Sequence, residues 1–247
     1  MCGIAGIISP DPSLVSPSRL KKMTKAIAHR GPDGDEVWVN PGSHAGLGSR
    51  RLSIIDLSNL AAQPMHYMDR YTIVHNGEIY NYIELRQTLQ NKGYRFRSRS
   101  DTEVILAAYD CYKGDVPQYL DGMFAFAIWD ESEQTLFAAR DRFGEKPFYY
   151  WHNGKELVFA SEMKALWAAG IPRQINNELL IDYLALGNTR LASSPEKSLY
   201  TGILDLPPAS CMRFLYTEQK LLIKKYQEQE SYLNAELEAY LEAELED

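Results

Sequence analysis

Cysteine is scarce in this 247-residue chain: Cys2, Cys111 and Cys211 are too few and too scattered for a disulfide framework. The five histidines (His29, His44, His66, His75, His152) keep no metal-ligand spacing with them, so no metal is expected. No run approaches the roughly 18–20 apolar residues of a membrane span. The apolar opening from Ile4 to Ile8 is too short, and lacks the basic flank, for a signal peptide. Nor is there a Gly-Gly pair, or any phosphate-cradling glycine loop in its place. A basic surplus is missing as well. The formal charge is −7, and residues 226–247 hold eight acids and no Lys or Arg; without them 26 basic residues face 25 acidic ones. These absences exclude a disulfide-stapled secreted domain, a membrane protein and a nucleic-acid surface. They leave a reducing, cytoplasmic protein as the expectation. A hydrophobic content of 45% is ample for a sizeable core.

What is present starts at Cys2. Its side chain is small enough for removal of Met1, so the mature chain would begin Cys2-Gly3-Ile4-Ala5-Gly6. Such a residue carries a thiol and a free α-amine together. The thiolate is the attacking species, and an amine with a reference pKa of about 7.7–8.0 suits the base that generates it. The bland alternative is a small second residue that serves processing alone.

Along the chain, residues 3–9 read as a buried first strand. Ser16 and Pro17 open a helix over 17–28, with Leu20, Met23, Ala26 and Ile27 as its apolar stripe. Short strands are expected around 36–40, 45–49, 52–55 and 71–75. Helices are expected over 78–91 and 102–113, the second behind a capping-box pattern, Ser100 to Glu103. Four strands follow at 123–129, 135–139, 148–151 and 157–160. Helices near 162–168 and 177–186, then strands near 199–204 and 211–216, complete the pattern. This mixture predicts a single α/β sandwich with helices covering sheets, and periodicity does not give the strand order.

Three polar groups are candidates for acyl-transfer chemistry, each with a plain alternative. Asn76-Gly77-Glu78 follows the apolar run Tyr71–Val74; an Asn amide and a Gly N–H there can point at one oxygen, or form an ordinary turn. Of Arg50 and Arg51, one can grip a carboxylate bidentately, or both can end a solvated strand. Asp101 can receive an ammonium, or belong to the helix cap at 100–103.

Taken in order, the motifs Met1-Cys2-Gly3-Ile4-Ala5-Gly6, His29-Arg30-Gly31-Pro32-Asp33, Arg51-Leu52-Ser53-Ile54-Ile55-Asp56, Ala62-Gln63-Pro64-Met65, Asn76-Gly77-Glu78-Ile79-Tyr80-Asn81 and Ser100-Asp101-Thr102-Glu103 say more. This series resembles the glutaminase domain of class II (N-terminal-nucleophile) glutamine amidotransferases, nearest to the glutamine-hydrolysing asparagine synthetases. Gly122–Ala127, Arg140–Pro147, Phe159–Leu166 and Leu206-Pro207-Pro208 support that branch, and the likeness runs from residue 2 to about 216.

The resemblance implies an α+β fold, the four-layer αββα sandwich of N-terminal-nucleophile hydrolases. Cys2 would be the nucleophile, with Asn76 and Gly77 as the oxyanion hole. Arg51, rather than Arg50, would hold the α-carboxylate of L-glutamine. Leu52, Ser53, Ile54 and Ile55 would line the pocket through backbone groups, and Glu78 and Asp101 would receive the α-ammonium. Ammonia would pass to an ATP-dependent synthetase that makes asparagine, where ATP and Mg would bind; this chain itself needs no cofactor.

That synthetase half, marked by a Ser-Gly-Gly-Leu-Asp-Ser loop, is not found in these residues, so a separate synthetase chain is a candidate partner. Two smaller departures from the family pattern are Glu145 and Ala209. Residues 217–247 are expected to be an acidic tail, with Leu233, Leu237, Leu241 and Leu245 on one face of an amphipathic helix that could dock on its own domain, on a partner, or on a second copy. The alternatives to an active glutaminase are a non-catalytic glutamine-sensing or partner-recruiting module, and a hydrolase for another amide.

Overall fold

The computed structural model describes residues 2–188, 194 and 196–227. Twelve strands and five α-helices are assigned within them. The strands are β1 (Gly3–Ile8), β2 (Gly34–Val39), β3 (Ala45–Arg51), β4 (Met65–Tyr67), β5 (Tyr71–Ile79) and β6 (Gly122–Asp130). They continue with β7 (Thr135–Arg140), β8 (Tyr149–His152), β9 (Leu157–Ala160), β10 (Leu204–Asp205), β11 (Ser210–Leu215) and β12 (Lys220–Lys225). The helices are α1 (Pro17–Ala26), α2 (Tyr82–Asn91), α3 (Asp101–Tyr112), α4 (Met163–Ala168) and α5 (Asn177–Leu186).

Two antiparallel six-stranded sheets result, in the orders β10-β8-β9-β1-β3-β2 and β12-β11-β7-β6-β5-β4. The central strands of each sheet are buried on both faces, whereas β2 and β12 at the outer edges are partly exposed, and the side chains sort with period two. In β6, Ala125, Ala127 and Trp129 face the other sheet, while Phe124, Phe126 and Ile128 face α2 and α3. In β1, Ile4 and Ile8 face inward between the sheets, while Ala5 and Ile7 pack under α1 and α4. Three apolar layers therefore separate four structural layers, α-β-β-α. The inter-sheet layer holds Trp129, Phe148, Phe159 and Phe214 at full burial, each worth about 1.5–3 kcal/mol.

Several elements lie where the sequence places them. Ser16 caps α1 by accepting the Arg19 N–H at 3.3 Å, and Ser100 caps α3 by accepting that of Thr102 at 3.1 Å. The capping box is not reciprocal, however. The Ser100 N–H goes to Ser98 Oγ, and the Glu103 carboxylate takes the Arg97 and Ser98 N–H groups instead.

Other elements differ. Residues 52–55 form a loop rather than a strand, because β3 ends at Arg51 and the chain turns away around its side chain. The helix expected from 78 begins at Tyr82, since β5 runs on to Ile79 along β6. Of the strand near 199–204, only Leu204–Asp205 pairs in a sheet, beside β8. Beyond residue 216 the chain continues as β12, paired with β11, so the sheet extends past that boundary. The amphipathic helix expected over 227–247 lies outside the described residues from 228 onward. Among the described residues no helix is long and apolar enough to cross a membrane.

Candidate active site

Period two also decides which polar side chains enter the space between the sheets. Cys2 precedes β1 on the parity of Ile4 and Ile8, which face that space. Arg51 shares the parity of Ala45 and Leu47, while Arg50 falls on the opposite face of β3. There Arg50 donates to the Thr24 carbonyl at 3.1 Å and pairs with Asp35 at 3.1 Å, a structural role beneath α1. From the other sheet, Asn76 and Glu78 share the parity of inward-facing Val74. Strand ends of both sheets thus converge on a cavity of about 270 Å³.

Cys2, Arg51, Asn76, Gly77, Glu78 and Asp101 all line it, as do Leu52, Ile54 and Ile55. Ser53 is not brought to its wall; its N–H donates to Asp33 Oδ2 at 2.8 Å. Among the described residues no group of three or more His, Cys, Asp and Glu side chains could hold a metal ion.

The Cys2 sulfur sits against the first residue of the 52–58 loop. Leu52 N–H lies 3.4 Å from Sγ, and the Leu52 carbonyl lies 3.6 Å from it. Burial pushes the thiol above its ordinary range; the Leu52 N–H and the Arg51 charge oppose that shift, and Asp101 adds to it. A buried thiol of this kind rests protonated, so it needs a base to become the attacking thiolate. The Cys2 carbonyl accepts from Arg30 Nη1 at 3.3 Å. Arg30 is in turn paired with Glu162, which His29 and Lys164 also contact at 2.8 Å. Gly31 has no room for a side chain, since a Cβ there would lie 2.5 Å from the Arg50 carbonyl carbon and the Arg51 nitrogen. The motif 29–33 therefore fastens the nucleophile's backbone to the end of β3.

On the facing sheet, β4 covers β5 only as far as Ile73, which leaves the edge from Val74 to Ile79 open. The main-chain groups of Phe124, opposite Gly77, are used by Asp141. Gly77 and Phe124 are therefore a non-hydrogen-bonded pair, and the N–H groups of residues 75, 77 and 79 point away from β6. Gln63 Oε1 accepts the first at 2.6 Å, and Asp101 Oδ2 accepts the third at 3.1 Å. The Gly77 N–H between them is aimed at the cavity. Beside it, Asn76 is 1% exposed and neither Nδ2 nor Oδ1 has a hydrogen-bond partner. Buried amides are as a rule completed by a partner, so Asn76 is placed to bond a group that enters the cavity, water or substrate. Gly77 must be glycine, because a Cβ would lie 2.2 Å from the Met123 carbonyl oxygen.

Charge is arranged at the rim of the cavity. The Arg51 guanidinium is encircled by its own loop, donating to the carbonyls of Asp56 and Ser58. The Ser58 side chain, with the N–H groups of Arg99 and Ser58, holds the Asp56 carboxyl below the usual carboxylate range and so closes the loop. Asp101 serves both its readings in part: Oδ1 accepts the Thr102 N–H at 2.8 Å within the helix start, and Oδ2 anchors Ile79. A carboxylate has about four acceptor sites, so capacity remains for an ammonium.

Several lining residues were not singled out from sequence. Gln63 and Thr102 sit inside quoted motifs, and together with His75 they form one buried cluster. His75 Nδ1 lies 3.1 Å from Thr102 Oγ1, which Gln63 Nε2 approaches at 3.4 Å. Burial keeps His75 neutral, against the pull of Asp101 and with the help of Lys146. The signal available for His75 and Thr102 was their adjacency to Asn76 and Asp101, and for Gln63 its place in the motif Ala62-Gln63-Pro64-Met65.

The sequence profile described as a glutamine amidotransferase domain matches residues 1–227. Glutamine-hydrolyzing asparagine synthetase 1 of Bacillus subtilis (strain 168) is 46% identical over 189 residues, which cover 75% of this chain and 29% of that protein. Asparagine synthetase 3 of the same organism is 38% identical over 219 residues, covering 87% and 35%. A putative asparagine synthetase of Methanocaldococcus jannaschii is 39% identical over 207 residues, covering 76% and 39%. The chain thus spans about a third of the length of these relatives. Among solved structures, glutamine phosphoribosylpyrophosphate amidotransferase from B. subtilis superposes with a TM-score of 0.64 at 18% identity, covering 92% of this chain and 49% of that one. The allosteric regulatory enzyme of purine biosynthesis gives 0.62 at 17%, covering 92% and 49%, and both share the fold. On the profile match and these identities, the chain belongs to the glutamine amidotransferase domain family.

Proposed function

We propose that this domain hydrolyses the side-chain amide of L-glutamine to glutamate and ammonia. The observation that carries the reading is that Cys2 from one sheet, and the unpaired Asn76 amide with the outward Gly77 N–H from the other, open onto one cavity. With Met1 removed, the Cys2 α-amine takes the thiol proton, and the thiolate attacks the amide carbon. Asn76 Nδ2 and the Gly77 N–H receive the oxyanion, donors of a kind worth about 10²–10³ in rate each. The proton passes to the leaving nitrogen, ammonia departs, and a γ-glutamyl thioester remains. Arg51 holds the α-carboxylate, and Glu78 and Asp101 hold the α-ammonium. No step uses a metal or nucleotide.

The names of the relatives support asparagine synthesis as the destination of the ammonia, through an ATP-dependent synthetase region on the same or a separate chain, in the cytoplasm. The test is mass spectrometry of the purified protein before and after a glutamine-analogue electrophile, with Cys2→Ala as control. Loss of Met1 and one adduct on Cys2 are expected. A processed chain that takes no adduct sinks the catalytic reading and leaves a glutamine-binding module in its place.

A further inference from the structure

The motif Arg140–Pro147 has no part in the steps above, yet it delivers a charge to the same cavity. It forms the connection between β7 and β8, and its backbone is held from two sides. The Asp141 carboxylate accepts the N–H groups of Phe143 at 3.1 Å, Glu145 at 2.9 Å and Lys146 at 3.0 Å. Arg140 Nε donates to the Lys146 carbonyl at 2.7 Å, while its Nη1 pairs with buried Asp205 at 2.7 Å. So fixed, Lys146 is 7% exposed and lines the cavity with Cys2, Asn76 and Gly77. Among the described residues its ammonium has neither a hydrogen-bond nor an ion-pair partner. A cation held this firmly at a cavity wall without a counter-charge is placed to receive a negative group that arrives from outside.

The α-carboxylate of the substrate belongs to Arg51, and the glutamine side chain is neutral. The negative group at the reacting end is made there by the reaction. We propose that Lys146 binds the γ-carboxylate of the glutamate product, and the oxyanion that precedes it. This rests on the hydrolytic reading. In the step concerned, water adds to the thioester carbon and the C–S bond breaks with its electron pair returning to sulfur. One water proton goes to sulfur and the other to solvent, leaving a carboxylate. Lys146 thereby distinguishes glutamate from glutamine and stabilises the charged stages over the neutral ones.

The test is calorimetric titration of L-glutamate and L-glutamine into the Cys2→Ala protein, which binds without turnover, with and without Lys146→Met or Lys146→Arg. Lys146→Met is expected to weaken glutamate about tenfold or more, the scale of one charge-assisted contact, and glutamine by less than about threefold. Lys146→Arg is expected to keep most of the glutamate affinity. In the protein with Cys2 intact, Lys146→Met is expected to lower kcat with KM for glutamine nearly unchanged. Should Lys146→Met not fold, salt dependence with the lysine in place still decides, because glutamate must lose more affinity with salt than glutamine does. Equal weakening of both amino acids, unaltered glutamate binding, or equal salt dependence overturns the proposal. Binding of glutamine without glutamate overturns it too and leaves the hydrolytic reading standing; binding of neither overturns both.

Discussion

The two ends of β5 are built on opposite rules. At the Tyr71 end, polar groups are satisfied several times over. Arg70 meets Asp130 through two parallel contacts of 2.8 Å, and Asp130 Oδ1 also accepts the N–H groups of Ser132 and Glu133. The Tyr71 hydroxyl donates to Asp110 at 2.6 Å, which Tyr94 and Lys113 share. At the Asn76 end, five residues along the same strand, both side-chain atoms of Asn76 and the Nε2 of His75 are buried and unpaired. Unpaired buried groups cost about 1–3 kcal/mol each. The fold bears that cost at the cavity and gathers its compensating bonds at the far end, so holding and reacting are separated along a single strand.

The largest expected effect tests that separation directly. Asn76→Ala should lower kcat by about 10²–10³-fold while the melting temperature holds or rises, because the amide makes no bond within the protein and its burial is a cost. Asp130→Ala should do the reverse, losing about 2–3 kcal/mol in urea unfolding while kcat holds, as befits lost bonds to a charged group. A matching pattern for both variants would break the comparison. Gly77→Ala sits between them. Its Cβ must force β5 and β6 apart, so it should cost about 1–3 kcal/mol and also misdirect the N–H that faces the substrate. Full activity in a destabilised Gly77→Ala protein would remove Gly77 from the oxyanion site.

The smallest effect is a pH dependence that differs between the ends. Folded His75 resists protonation, whereas in the unfolded chain it titrates near about 6.5. Its share of stability is therefore complete above that pH and is lost as pH falls from there toward the depressed folded value. Asp110 acts lower on the scale. Burial works to raise its carboxyl, but the bonds from Lys113, Tyr71 and Tyr94 outweigh it and hold it below the usual range. Its contribution is present above an unfolded value of about 3.9 and is lost as pH falls through the folded one. Urea unfolding across pH 3–8 should show His75→Gln flattening the upper part of the acid limb and Asp110→Asn the lower part. A single change shared by both variants would contradict the assignment.

How far these features could be read beforehand depends on whether the signal was local. Ser16-Pro17 and Ser100 announce helix starts by their own chemistry, and the structure begins α1 and α3 there. The all-apolar runs in β6 and β7 follow from burial on both faces. Asn76-Gly77, by contrast, carries the strongest local turn preference in the region, yet it lies inside a strand. Pairing with β6 overrides the dipeptide, as tertiary context routinely does for strands. The alternation Leu52, Ile54 mimics a strand, but the Arg51 guanidinium draws the carbonyls of Asp56 and Ser58 around itself and makes a loop. Choosing Arg51 over Arg50 on residues alone was out of reach until the parity of β3 was anchored by Leu47. The cavity set was carried by ordered motifs. Ser53 fell outside the lining because its N–H turns to Asp33, a contact 20 positions away that no local pattern encodes.

The open edge of β5 has one more implication. An unpaired strand edge is ordinarily a hazard, a template on which another chain can grow a sheet. Here Gln63 and Asp101 act as side-chain plugs on either side, and the Gly77 N–H between them forms a socket that faces the cavity. In the proposed reaction the carbonyl of the bound amide fills that socket as a missing rung would fill a ladder. Substrate recognition is then a sheet extension exactly one residue long in reach, and the two plugs that admit a small molecule also keep another strand from annealing there.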